Sequence, residues 1–178
     1  MTHAREDLRN WNEHHGNPIR MAGTSDNIEA IKDASIIILA VKPYKIEEVL
    51  AEIRDTECFK EKIIISVAAG ITCKKLQDLC RNQSQAVFRI IPNTAIMANQ
   101  SATFVSCSEQ CDEVSRRRVR DIFASMGKVY EVDEGLMSPL TSISSCGIAY
   151  VMRFIADIAE AGRKSGIGKS LSMDATLQ

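Results

Sequence analysis

Ile36-Ile37-Ile38-Leu39-Ala40-Val41-Lys42-Pro43 decides the fold. A short, nearly continuous apolar run gives way at once to small, polar and turn-forming residues, as expected of a parallel strand buried on both faces. The pattern recurs twice. Lys62-Ile63-Ile64-Ile65 leads into Ser66-Val67-Ala68-Ala69-Gly70-Ile71, and Val87-Phe88-Arg89-Ile90-Ile91 leads into Pro92-Asn93-Thr94-Ala95. Open α/β sheets bind ligands outside the carboxyl ends of their strands, so these three tips are expected side by side around one ligand.

Between the runs the period changes to that of a helix. Thr24-Ser25-Asp26-Asn27 reads as a helix start, with Ile28, Ile31 and Ala34 on the apolar face. Ile46, Val49, Leu50 and Ile53 recur at helical spacing, and another helix starts at Thr72 with Leu76 and Leu79 inward. A strand over Ala102–Cys107, a helix from Cys111 to Met126 and a strand over Val129–Val132 follow. Gly127 stands where a helix C-terminal glycine belongs. Upstream, the polar segment Ala4–His15 has helical character and leads to a short apolar stretch, Ile19–Met21. Strands alternating with helices imply βαβ units, a mostly parallel sheet and right-handed crossovers. After Glu134 no strand is legible, and Leu140, Ile143, Tyr150, Phe154, Ile155 and Ile158 are spaced for helix. The reading is an α/β, Rossmann-like domain over residues 1–134, then the start of an all-helical domain over 135–178. So short a helical part cannot bury its own apolar face and is expected to pack on another chain.

Bulk properties narrow the function. The 178 residues carry 22 basic and 23 acidic side chains, a net charge of −1, which argues against a nucleic-acid partner. Arg116-Arg117-Arg118 and Arg120 lie among Asp112, Glu113 and Asp121, so they read as a solvated helix face. No apolar stretch approaches the roughly 18 residues that span a bilayer. Met1–Asn12 is polar without a signal pattern, so no membrane partner and a cytoplasmic location are expected. The cysteines at 58, 73, 80, 107, 111 and 146 form no C-x-x-C pair and lie far from His3, His14 and His15, which favours buried free thiols over a metal site. No His, Ser or Cys constellation makes a nucleophile, and Asp133-Glu134 is explained by charge at a helix N-terminus, so no catalytic residue is assigned.

A dinucleotide-binding sheet normally opens with a strand, a glycine-rich turn and a helix that receives the pyrophosphate. No G-x-G-x-x-G is present; Gly166-Ile167-Gly168 comes too late, follows a helix and lacks the third glycine. The chain reads as though that first strand and helix precede Met1. As it stands, it is expected to bind a dinucleotide weakly and to show little turnover.

Taken in order and at their spacing, Ile38–Pro43, Ser66–Ile71 and Arg89–Thr94 resemble the pyrroline-5-carboxylate reductases, which complete proline synthesis by reducing a cyclic imine with NAD(P)H. The resemblance runs from about Asn27 to Leu177. Ser144-Ser145-Cys146-Gly147-Ile148-Ala149-Tyr150-Val151 is similar to the family segment that opens the helical dimerisation domain, but the family usually has Gly, Ser and Pro at Ser145, Cys146 and Ile148. The resemblance implies reduction of 1-pyrroline-5-carboxylate to proline, NADP or NAD as cofactor, and a homodimer or higher oligomer formed through the C-terminal helices. Two alternatives stand beside it: a related NAD(P)-dependent imine or carbonyl reductase, and a non-catalytic dinucleotide-binding or dimerisation module.

The resemblance also implies roles. Ala40, Val41, Lys42 and Pro43 would run along the cofactor, Ala40 admitting the ribose or phosphate and Pro43 fixing the strand exit; an ordinary strand-to-helix turn is the plain alternative. Ala68, Ala69 and Gly70 would leave room for the nicotinamide ribose, or would serve tight helix–sheet packing. Asn93 and Thr94 suit the nicotinamide carboxamide or the imine, with Asn93 as a backbone cap the alternative. Arg89 is either a ligand contact or an ion pair at the sheet margin. Asn27 matches a family position near the adenosine ribose or its 2′-phosphate, a role compatible with capping its helix. Arg5 lies where a second strand would end; it would meet a 2′-phosphate and favour NADPH, or be an exposed helix arginine. A protonated cyclic imine is already electrophilic, so hydride transfer needs alignment more than a general acid.

Overall fold

The computed structural model describes residues 22–178; the Ala4–His15 segment, Ile19–Met21 and Arg5 lie outside the described residues. Five strands, β1 Ile36–Leu39, β2 Ile63–Ser66, β3 Val87–Ile91, β4 Ser101–Cys107 and β5 Gly127–Glu131, form one sheet in the order β1-β2-β3-β4-β5. By contacts the chain divides into two compact units. One runs to Phe88 and takes in Ser108–Gln110; the other comprises Arg89–Cys107 and Cys111–Gln178.

In the first unit, α1 (Asn27–Ile31) is capped by Asp26, whose Oδ1 accepts from the Ile28 and Glu29 N–H groups at 2.8 and 3.2 Å. α2 (Ile46–Ile53) follows the Pro43–Lys45 3-10 turn, and Pro43 sits at the first position of that turn, where its missing N–H costs nothing. α3 (Cys73–Cys80) is capped by Thr72 Oγ1 accepting from Lys75 N–H at 3.1 Å, and ends on Arg81 in the left-handed conformation. The inward residues Ile46, Leu50, Ile53, Ile64, Leu76 and Val87 are fully buried, as their spacing requires. β1 and β2 are parallel, in register from Ile36 opposite Ile63 to Leu39 opposite Ser66. β2 and β3 are buried at every position, but β1 is not: Ile38 is 48% exposed. Among the described residues β1 is an edge strand with one face uncovered, so the expectation of two buried faces fails there.

In the second unit β4 and β5 pair in parallel, Ser101 opposite Gly127 through Val105 opposite Glu131. At the start of β4, Asn93 N–H donates to Ser101 Oγ at 3.2 Å; just past its end, Ser108 N–H donates to Val87 C=O at 2.9 Å. β4 therefore runs back along β3, while β1 and β2, and β4 and β5, pair in parallel. α4 (Glu113–Ala124) is capped by Asp112, whose carboxylate accepts from Ser115 N–H at 2.8 Å, and its last turn closes on Ser125. Gly127 is thus not the helix-end glycine that the sequence pointed to. It is the first residue of β5, with φ +141°, and a Cβ there would overlap the Ser101 backbone. The α4 arginines face acids: Arg116 and Arg120 meet Glu131 at 3.9 and 3.5 Å, Arg117 meets Asp121 at 3.8 Å and Arg120 meets Glu113 at 3.2 Å.

Beyond Glu134 the chain is helical, as its spacing predicted. A 3-10 turn (Glu134–Leu136), α5 (Met137–Thr141), a π turn (Ser142–Cys146) and α6 (Gly147–Lys164) run on without a break, and α7 (Lys169–Leu177) folds back on α6. Ser172 Oγ donates to Ala159 C=O at 2.6 Å where they cross. The stretch Glu134–Lys164 contains a window of mean hydropathy 1.3 and is long and apolar enough, by length and composition, to cross a membrane. The sequence reading weighed unbroken apolar runs; in this stretch small polar residues are interspersed with apolar ones. Of the thiols expected to be buried, Cys73, Cys80 and Cys111 are, Cys58 and Cys107 are half-buried and Cys146 is exposed.

Candidate functional site

The exits of β1 and β2 build a cleft of about 560 Å³ in the first unit, lined by Ala40, Val41, Lys42, Pro43, Val67, Ala68 and Ala69. The two exits are tied by Val67 N–H donating to Leu39 C=O at 3.2 Å. Lys42 is extended (φ −61°, ψ 146°) and its C=O accepts from Lys45 N–H at 2.8 Å, closing the first turn after the strand. Ser66, fully buried at the end of β2, accepts from Ala68 N–H at 3.3 Å and so shapes the second exit. Small side chains thus line much of the cleft, and among the described residues Lys42 supplies its cation.

Gly70 follows at φ +78° and is exposed, with nothing within 4 Å of the position a Cβ would take. Tight helix–sheet packing is therefore not its reason; the left-handed backbone is. Asn27 is not among the residues lining the cleft. It is the first residue of α1, the cap being Asp26, and its Nδ2 donates to Glu52 Oε2 of α2 at 2.6 Å.

Asn93 and Thr94 belong to the second unit. Asn93 caps the Thr94–Ala98 3-10 turn, its Oδ1 accepting from Ala95 N–H at 3.2 Å, and Thr94 is exposed. The anchor of this turn is Ser101, whose Oγ accepts from Asn93 N–H and lies 2.9 Å from Thr103 Oγ1. Ser66, Ser101 and Thr103 were missed from the sequence. The signal was there: Ser101 and Thr103 put hydroxyls on the face of β4 that Val105 shares, where apolar residues are the rule. Arg89 lies in the middle strand rather than at a margin, 7% exposed, and pairs with Glu134 at 3.5 Å. Its Nε is a buried donor without a partner among the described residues.

No group of His, Cys, Asp and Glu able to hold a metal occurs among the described residues. Burial pushes the Cys80 thiol up to about 12 against the pull of Arg54, so it stays protonated and is no nucleophile.

Residues 2–70 match a family profile described as NADP oxidoreductase, coenzyme F420-dependent. The chain is 33% identical over 150 residues to pyrroline-5-carboxylate reductase 1 of Bacillus spizizenii, covering 84% of this chain and 50% of that protein. It is 27% identical over 172 residues to pyrroline-5-carboxylate reductase of Pisum sativum, covering 92% of this chain and 62% of that protein. Among solved structures, Plasmodium falciparum pyrroline carboxylate reductase with NADP bound superposes with a TM-score of 0.82 at 30% identity, over 91% of this chain and 62% of that one. The chain thus spans between half and just under two thirds of the length of these relatives.

Proposed function

We propose that this chain, whose sequence and fold are similar to those of the pyrroline-5-carboxylate reductases, serves the reduction of 1-pyrroline-5-carboxylate to proline with a nicotinamide dinucleotide. The observation that carries the reading is the cleft between the β1 and β2 exits, where the small side chains of Ala40 and Ala69 are exposed beside Lys42 and Ala68 is buried beneath them. Ala40–Pro43 and Val67–Ala69 would hold the dinucleotide, which when bound supplies the hydride. The residues fit it: small side chains admit a ribose, and the Lys42 ammonium is a partner for phosphate. NADPH is the favoured form, in keeping with the NADP-bound relative.

The rest of the work is orientation. Asn93 Oδ1 is committed to its cap, so the Nδ2 donors are what Asn93 offers to the nicotinamide carboxamide or the imine substrate. A protonated cyclic imine accepts hydride without a further acid, so holding the two reactants at the right distance is the larger contribution.

The helical part from about residue 135 is the dimerisation domain in this reading. Tyr150, Phe154 and Ile158, spaced four apart on one face of α6, are 74%, 66% and 44% exposed. A second copy of the chain is the partner proposed for this face, and a cytoplasmic location goes with the assignment. One observation favours a second reading, a related imine reductase: the π turn carries Ser145 and Cys146, where the resembled segment usually has Gly and Ser.

Consumption of NADPH with 1-pyrroline-5-carboxylate, with proline identified as the product and an acyclic imine run in parallel, tests the assignment. Proline formation supports it. Turnover of the acyclic imine alone selects the related reductase, and cofactor binding without turnover of either, even once a strand, glycine-rich turn and helix are supplied ahead of Met1, selects the binding module.

A further inference from the structure

We propose that Thr103 and Ser101 are positioning residues for Asn93: a buried pair of hydroxyls on β4 sets the main chain of the turn that presents Asn93 to its ligand. The proposal rests on the assignment of Asn93 to the nicotinamide or imine. Side chains two apart on a strand share a face, and here both point inward, Ser101 1% and Thr103 0% exposed. Their oxygens lie 2.9 Å apart, and Ser101 Oγ accepts from Asn93 N–H at 3.2 Å. Ser101 is itself fixed at its main chain, its N–H donating to Met126 C=O at 3.0 Å.

The order of action is therefore Thr103 to Ser101 to Asn93. Thr103 Oγ1 selects the Ser101 rotamer; that rotamer directs a lone pair at Asn93 N–H; and the Asn93 main chain, extended at φ −114° and ψ 174°, fixes where its side chain begins. The contact between the two hydroxyls is buried, where a hydrogen bond is strong and has no water to replace it; the bond to Asn93 N–H is part-buried. Neither hydroxyl touches the ligand in this scheme. Both act by denying the turn any other arrangement.

Two substitutions at Thr103 separate positioning from packing. Thr103→Val keeps the volume and loses the hydroxyl; Thr103→Ser keeps the hydroxyl and loses a methyl. Each variant and the unaltered protein are compared by NADPH titration, by hydrogen exchange at the Asn93 amide and by thermal melting. Thr103→Val is expected to speed Asn93 exchange and to weaken NADPH binding, each by roughly tenfold, the effect of one lost buried hydrogen bond. Thr103→Ser should match the unaltered protein in both, despite a lower Tm. The proposal is overturned if Thr103→Val leaves Asn93 exchange unchanged, or if affinity follows Tm across the two variants. If the unaltered protein binds no NADPH, the cofactor assignment falls, and the hydroxyl pair is then judged by Asn93 exchange alone: unchanged in Thr103→Val, it is overturned as well.

Discussion

Replacing Gly127 tests the edge on which β4 and β5 begin. Gly127 opens β5 opposite Ser101 at φ +141°, and a Cβ there would overlap the N, C and O atoms of Ser101. A neighbouring side chain could swing aside; the main chain of a paired strand cannot. Alanine therefore meets two penalties. The backbone conformation costs about 1–3 kcal/mol in an L-residue. Overpacking against a fixed neighbour adds about 1–3 kcal/mol. Together they come to about 2–6 kcal/mol, a fall in Tm on the order of 10 °C for a chain of this size. Gly70 is the control, since its φ is +78° but no atom lies within 4 Å of its Cβ position. Gly70→Ala meets the conformational penalty alone, about 1 kcal/mol net of the stiffer unfolded chain, and loses about 2–4 °C. Circular dichroism melts of the two variants give the comparison. If Gly127→Ala melts within about 2 °C of Gly70→Ala, no close approach exists and Gly127 is only a helix-end glycine.

Glu134→Gln removes the anion beside the buried Arg89 guanidinium and should destabilise by about 1–3 kcal/mol, whereas Arg89→Met, which removes the charge itself, should cost less; chemical denaturation of both variants checks the order. Phe154→Glu, on the exposed face of α6, should shift sedimentation toward monomer, and an unchanged oligomer would remove that face from the interface. The Asp112 carboxyl is held below its usual range by its hydrogen bonds to Ser115, side chain first and then backbone. Its cap is therefore fully present above the unfolded-state value of 3.8 and is lost as pH falls through the lower folded value. Asp112→Asn should flatten that acid limb of the stability curve, and an unaltered limb would show that the cap does not titrate there.

The sequence made the strands legible because each apolar run ended in a run of small or turn-forming residues, and helices were legible where Ile46, Leu50 and Ile53 repeated at the right period. What was not legible depends on neighbours far along the chain. The exposure of Ile38 follows from the place of β1 in the sheet order, which no local pattern states. Gly127 looked like a helix end because a helix does end nearby; only the register with Ser101 shows why a side chain is excluded. For the candidate site, Ala40–Pro43, Ala68 and Ala69 were found from sequence and do line one cleft. The hydroxyls of Ser66, Ser101 and Thr103 were passed over because buried polar residues on strands look like interruptions until their hydrogen bonds are seen.

The central claim is that the β1 and β2 exits receive a nicotinamide dinucleotide. Titration of 15N-labelled protein with NADPH, followed by amide chemical shifts, tests it most directly and tolerates weak binding. The account predicts saturable shifts at Val41, Lys42, Ala68 and Ala69, and their loss when NADPH is replaced by nicotinamide alone. Saturable binding that leaves those four amides unmoved, or no shift anywhere, would contradict it.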